Sequence, residues 1–210
     1  ELQRDANKRY GFSAKETLNI MQRLYEHHKV LTYPRTDSRY IGSDIVPTIK
    51  ERLKACNIGP YKAYIPALLK APICTSKAFV DDKKVSDHHA IIPTEEYVQL
   101  DHMSNEERKI YDLVVRRFIG VLYPAYEYEQ TTMKAAVQTS AKPSGATAVF
   151  GAKGQIVLKE GWKAVYDNMS LDEEEDDKSG DQLRLAGQQL PTLKKGQEVD
   201  ISQIMRSQGK

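Results

Sequence analysis

Apolar positions along the chain fall into two textures. Behind Ser13-Ala-Lys-Glu16, the residues Leu18, Met21, Leu24 and Tyr25 recur at the spacing of one helix face, which predicts a helix over about residues 14–28. Ser13 and Glu16 read as a capping box, the hydroxyl and the carboxylate each satisfying one free backbone N–H. A second stripe, Ile45, Ile49 and Leu53, predicts a helix starting near Ser43–Pro47 and ending about Ala55, before the breaker Gly59-Pro60. Ser104-Asn-Glu-Glu107 is another capping box, and it opens a helix carrying Ile110, Tyr111, Val114, Val115 and Phe118, closed by Gly120 and Pro124. After Pro124 the texture changes. Tyr128–Thr139, Ala146–Phe150, Gln155–Lys159 and Val199–Ile201 are short Thr-, Val- and Ile-bearing stretches between Gly, Pro and Lys turns, the punctuation of strands. The expected class is α+β: a helix-rich part over 1–122, then a strand-rich part over 123–210. Asp172–Gly180 is an acidic low-complexity run, expected to be a solvated loop. There is no internal repeat.

At 210 residues, 40% of them hydrophobic, the chain is one large domain or two small ones and can bury a core. No apolar run reaches the ~18–20 residues of a membrane span, and no signal peptide opens the chain. It begins at Glu1 in helix-like sequence and reads as a piece of a longer protein. Cys56 and Cys74 match neither a disulfide framework nor a zinc spacing, which points to a reducing cytosol. The net charge of +2 hides an asymmetry: residues 1–80 carry 14 Lys and Arg against 7 Asp and Glu, while six acids crowd Asp172–Asp177. A basic first part fits an anionic partner such as nucleic acid, and equally a merely solvated surface.

Two segments carry candidate chemistry. His88-His89, in Val85-Ser-Asp-His-His-Ala-Ile-Ile-Pro-Thr94, could be metal ligands, a structural pair, or phosphate-facing and proton-handling groups. Neighbouring side chains point apart on a strand, and no third ligand stands at a familiar offset, which weakens the metal reading. Leu31-Thr-Tyr-Pro-Arg-Thr-Asp-Ser38 is denser. Pro34 biases Tyr33 toward extended backbone, and Arg35, two residues on, projects to the same side. A phenol and a guanidinium aimed at one point suit attack on a phosphodiester, the phenolate as nucleophile and the planar fork neutralising the phosphate oxygens. Thr36, Asp37 and Ser38 are turn and capping residues that could fix the loop or touch a DNA backbone. With twelve tyrosines in the chain, a structural Tyr-X-Arg is the ordinary alternative.

Four motifs then resemble, in the same order, the type IA DNA topoisomerases. They are Leu2-Gln-Arg-Asp-Ala-Asn-Lys-Arg-Tyr-Gly-Phe-Ser-Ala-Lys15, Thr17-Leu18 followed by Gln22-Arg-Leu-Tyr-Glu26, the Tyr33–Ser38 segment, and Asp87-His-His-Ala-Ile-Ile-Pro-Thr94. Pro34 and the His-His pair look most like the bacterial topoisomerase III branch. Gly154–Tyr166, with Gly161-Trp162 inside it, and Leu190-Pro191 leading to Lys195-Gly196 are similar to the strand-rich arch of these enzymes. The resemblance implies that Tyr33 forms a 5′-phosphotyrosine link to one cut strand. It implies too that Arg35 contacts and polarises the scissile phosphate and that His88 contacts DNA near the break. Thr36, Asp37, Ser38 and His89 match the motifs as DNA-contacting positions. Such enzymes pass a strand through the gap and reseal without ATP. Their Mg2+ is held by an N-terminal toprim domain that this chain lacks, so no metal ligand is expected here and the chain alone is expected to be inactive. The implied partners are single-stranded or underwound DNA and the remaining domains of the same polypeptide. The implied setting is a monomer in the bacterial cytoplasm, at the nucleoid, with no membrane partner. A metal role for Asp172–Asp177 is disfavoured, because no hydrophobic strands flank it to fix a geometry.

The rival from another class is a single-stranded nucleic-acid-binding module without chemistry, resting on the basic first 80 residues and possible base stacking by Tyr33, Tyr40, Tyr61 and Tyr64. A tyrosine recombinase fits less well, because its Arg and His residues would precede the tyrosine. A covalent adduct that depends on Tyr33 separates the readings.

Overall fold

The computed structural model describes residues 1–138, 147–166 and 194–198; Asp172–Gly180 and Val199–Ile201 lie outside them. Helix α1 (Leu2–Tyr10) ends at Gly11, which takes φ +72 and donates its N–H to the Asn7 carbonyl. Helix α2 (Ala14–Glu26) begins on the expected capping box: the Glu16 N–H donates to Ser13 Oγ at 3.1 Å, and the Ser13 N–H to Glu16 Oε2 at 2.8 Å. It buries Thr17, Ile20, Met21 and Leu24. Tyr25, which the sequence pattern groups with that stripe, is instead exposed, one position off the buried face. A 3-10 turn at Val46–Thr48 feeds α3 (Ile49–Ala55), and a second at Gly59–Ala63 feeds α4 (Ile65–Lys70).

Helix α5 (Asn105–Leu122) is the centre of this unit. Its own capping box joins Ser104 and Glu107, and it runs past Gly120 to Leu122. Ile110, Tyr111, Val115 and Ile119 are fully enclosed, and helices α1 and α2 and the segment Gly161–Tyr166 pack around them. A helix buried on most sides reads in sequence as a broad apolar band rather than a narrow stripe. Polar contacts complete the packing. Asp112 accepts both the Tyr61 hydroxyl at 3.0 Å and Arg116 Nε at 2.9 Å, while the Arg116 guanidinium also donates to the Val165 carbonyl. Cys56 is fully buried, and burial pushes its thiol up to about 12; Cys74 is exposed.

Strands β1 (Glu127–Gln138) and β2 (Thr147–Lys159) form a two-stranded antiparallel sheet. The stretches Ala146–Phe150 and Gln155–Lys159 read as separate strands by their punctuation; from Thr147 on, the described residues form one continuous strand through Gly151 and Gly154. Glycine weakens a strand but does not bar it, and pairing with β1 carries the ladder across both positions. Glu1–Glu127 together with residues 159–166 belongs to one compact unit, and Tyr128–Leu158 to a second. At the return, Gly161 takes φ +49, and a Cβ there would lie 2.3 Å from the Ala125 carbonyl oxygen, so only glycine fits the crossing.

Candidate active site

The two sequence-predicted segments are stitched together. After α2 the chain turns at His27 and His28 and passes through Lys29, which adopts the left-handed φ of +57. It then runs extended from Val30 beside Ile92–Thr94: the Thr94 N–H donates to Val30 O at 3.0 Å and the Thr32 N–H to Ile92 O at 3.0 Å, with Leu31 bridging Pro93. Hydroxyls finish the seam. Thr32 Oγ1 accepts the Ile92 N–H at 3.0 Å, Thr94 Oγ1 donates to Lys29 O at 2.6 Å, and Thr36 Oγ1 donates to His88 O at 3.0 Å. Threonine serves here because its branched side chain favours extended backbone while its hydroxyl bonds locally.

Leu31 is buried, Tyr33 is half-buried, and Arg35 is exposed. The Tyr33 ring lies against two others: His88 at a centroid distance of 4.5 Å and a 42° tilt, and Tyr25 at 5.6 Å, nearly perpendicular. Arg35, Thr36, Asp37, Ser86, Asp87 and His88 line an open depression of about 290 Å³. His88 is thus the shared element: its ring lies against Tyr33, and it is one of the residues lining the depression. His89 turns elsewhere, half-buried, with Nδ1 2.6 Å from the Ala90 carbonyl. Ser38 accepts the Tyr40 N–H at 3.1 Å and donates to Lys84 O at 2.8 Å, tying the far end of the segment to the loop that precedes Ser86. Lys84 in turn donates to the Tyr40 hydroxyl at 3.1 Å, which lifts the lysine pKa.

Three supports escaped the sequence reading. Arg52, 7% exposed, donates to Thr48 Oγ1, to the Pro93 carbonyl and to Glu95, each at 2.8 Å, and so ties α3 to the strand facing Leu31. Burial lowers its pKa and the Glu95 carboxylate pulls it back. Glu107 accepts Arg23 Nε at 2.7 Å, His28 Nε2 at 3.2 Å and the Ser104 N–H at 2.9 Å, which locks the end of α2 to the start of α5. Burial alone would raise the Glu107 pKa; the Arg23, Ser104 and His28 hydrogen bonds outweigh it and lower it. Tyr25 is the third; the sequence placed it only in a helical stripe and in the Gln22–Glu26 motif, with no role of its own. Tyr61, by contrast, is buried on Asp112 and is closed to base stacking, while Tyr64 is half-buried with its ring edge-to-face on Tyr123.

Among the described residues, no group of three His, Cys, Asp or Glu side chains is placed to hold a metal ion. Nor is any helix among them long and apolar enough to cross a membrane.

The chain belongs to the DNA topoisomerase family, whose family model matches residues 1–210. Within it, the similarity runs to topoisomerase 3. The chain is 54% identical over 209 residues to a DNA topoisomerase 3 of Bacillus cereus, 50% to that of Bacillus subtilis and 48% to that of Bacillus licheniformis. Each comparison covers 100% of this chain and 26–27% of the relative, so the chain spans about a quarter of the length of these curated relatives.

Proposed function

We propose that this chain carries the strand-cleaving tyrosine of a type IA DNA topoisomerase. The observation that carries the reading is the ring contact between Tyr33 and His88 beside the depression that Arg35 and His88 share. The Tyr33 phenolate oxygen attacks the phosphorus of one strand; the P–O3′ bond breaks, the 3′ oxygen leaves and takes up a proton, and the 5′ phosphate stays on the tyrosine. Arg35 faces the phosphate oxygens as charge builds on them. His88, with its ring against Tyr33 and lining the depression, contacts the same phosphate. Thr36, Asp37 and Ser38 shape and flank the strand path, and His89, turned away from the depression, backs it from the neighbouring position. Religation is the reverse displacement, and because the phosphodiester energy is kept in the phosphotyrosine no ATP is needed. Strand passage, the arch role of residues 123–210, a monomeric state and a bacterial cytoplasmic, nucleoid setting belong to the same reading. In the same reading Mg2+ is held by the toprim domain of the longer protein, and this chain by itself is inactive.

The test uses the full-length protein that carries this chain and a single-stranded oligonucleotide labelled at its 3′ end. After a denaturing quench with Mg2+ present, label migrates with the wild-type protein and not with Tyr33→Phe. Bound oligonucleotide with no adduct in either protein would leave the non-catalytic binding module as the better reading.

A further inference from the structure

Tyr25 is an aromatic residue on a helix whose buried face it does not join. Leu24 beside it is fully enclosed, while Tyr25 is 37% exposed. Among the described residues its hydroxyl makes no hydrogen bond, and its ring meets Tyr33 with centroids 5.6 Å apart and planes at 81°. Edge-to-face pairs of this geometry have a preferred orientation and resist ring rotation, unlike a plain aliphatic contact.

The backbone under Tyr25 is unusually well held. Arg23 and His28, on either side of it, both bond Glu107 at the start of α5, and the Val30 N–H returns to Leu24 O at 3.0 Å. Lys29 in its left-handed conformation then reverses the chain, which brings Tyr33 back beside Tyr25 eight residues later. Of the two rings touching Tyr33, His88 comes from an exposed loop segment and Tyr25 from a helix clamped to the core. The helix ring is the fixed reference.

The geometry points to Tyr25 as a positioning residue for the Tyr33 nucleophile, acting through the edge of its ring and not through its hydroxyl. This rests on Tyr33 being the nucleophile. Attack needs the phenol oxygen within near-attack distance of phosphorus, and freeing the Tyr33 ring spreads it over orientations that do not react. The interaction strength of one such pair corresponds to a rate loss of about 2- to 12-fold. A base-stacking role for the same exposed ring predicts a different signature, a loss in affinity.

The experiment compares wild type, Tyr25→Phe and Tyr25→Leu in the full-length protein. Three quantities are read: the adduct-forming rate at saturating 3′-labelled oligonucleotide, the affinity for that oligonucleotide, and the 19F signal of 3-fluorotyrosine placed at position 33. Tyr25→Leu slows adduct formation about 2- to 12-fold with affinity unchanged, and shifts and narrows the fluorine line; Tyr25→Phe keeps the rate and the line. The positioning role is overturned by wild-type cleavage in Tyr25→Leu, by equal losses in Phe and Leu, or by a loss confined to affinity. A wild-type protein that forms no adduct contradicts the Tyr33 reading instead. The fluorine line still decides Tyr25 in that case, since an unchanged line in Tyr25→Leu removes its hold on Tyr33.

Discussion

Two stretches of extended chain in this protein are held in opposite ways. Strands β1 and β2 hold each other through a backbone ladder and leave Val149, Phe150, Ile156, Val157 and Leu158 exposed. The segment from Val30 to Ser38 has only scattered backbone bonds. It is pinned by the hydroxyls of Thr32, Thr36 and Thr94 and by buried Leu31. A ladder spends every backbone group on regularity and fixes alternate side chains to two faces. Pinning by side chains over a helical core fixes the backbone while leaving the Tyr33 ring against His88, and His88 beside Arg35 at the depression. The proposed chemistry sits on the second kind of strand.

The comparison breaks most sharply at the hydrophobic pins. Leu31→Ala removes a 1% exposed side chain and is expected to cost about 2–5 kcal/mol by denaturant unfolding, whereas Val157→Ala on the ribbon stays within about 0.5 kcal/mol. Equal costs would mean that the ribbon buries what it shows as exposed.

Next comes the clamp that carries α2. Glu107→Gln keeps the shape but loses the charge facing Arg23 and His28, a loss of about 1–3 kcal/mol. Because the native Glu107 pKa is lowered from 4.5, its contribution is full above that value and is lost as the pH falls through the lower native value. Wild type therefore loses its advantage over Glu107→Gln as the pH drops below about 4.5. A difference between the two that does not change with pH would contradict the charge-based clamp.

Smaller still is the hydroxyl seam. Thr32→Val keeps the branched shape but leaves the Ile92 N–H without its acceptor, at a cost of about 1 kcal/mol. The same change should loosen the Tyr33–His88 contact, read as a chemical-shift change at the His88 ring. The smallest effect tests the core itself. Tyr111 Oη is buried with no hydrogen-bond partner among the described residues, while the Tyr61 hydroxyl donates to Asp112. Tyr111→Phe is expected to be neutral or mildly stabilising, and Tyr61→Phe to cost about 1 kcal/mol, in thermal unfolding.

Much of this was legible in the chain. Both capping boxes formed as read, because Ser13 with Glu16 and Ser104 with Glu107 satisfy each other locally without tertiary help. Tyr33, Arg35 and His88 stand out as candidates because their chemistry is dense in two short runs, which the structure brings side by side. What stayed hidden depends on distant partners. Arg52 reads as an ordinary helix arginine until Pro93 and Glu95 arrive over it, and Glu107 as a cap until Arg23 and His28 reach it. Tyr25 fits an apolar stripe as well as it fits a ring contact, and only the turn at Lys29 decides between them. The glycines at 151 and 154 signalled a break that pairing with β1 overrode.

The most direct measurement of the central claim locates the covalent bond. The full-length protein is reacted with single-stranded oligonucleotide and Mg2+, quenched under denaturing conditions, and digested with nuclease and protease. Peptide mass spectrometry then finds the modified residue. A nucleotide 5′-phosphate mass is expected on Tyr33 and on no other tyrosine. The same mass on a different residue, or none while the DNA has been cut, would contradict it.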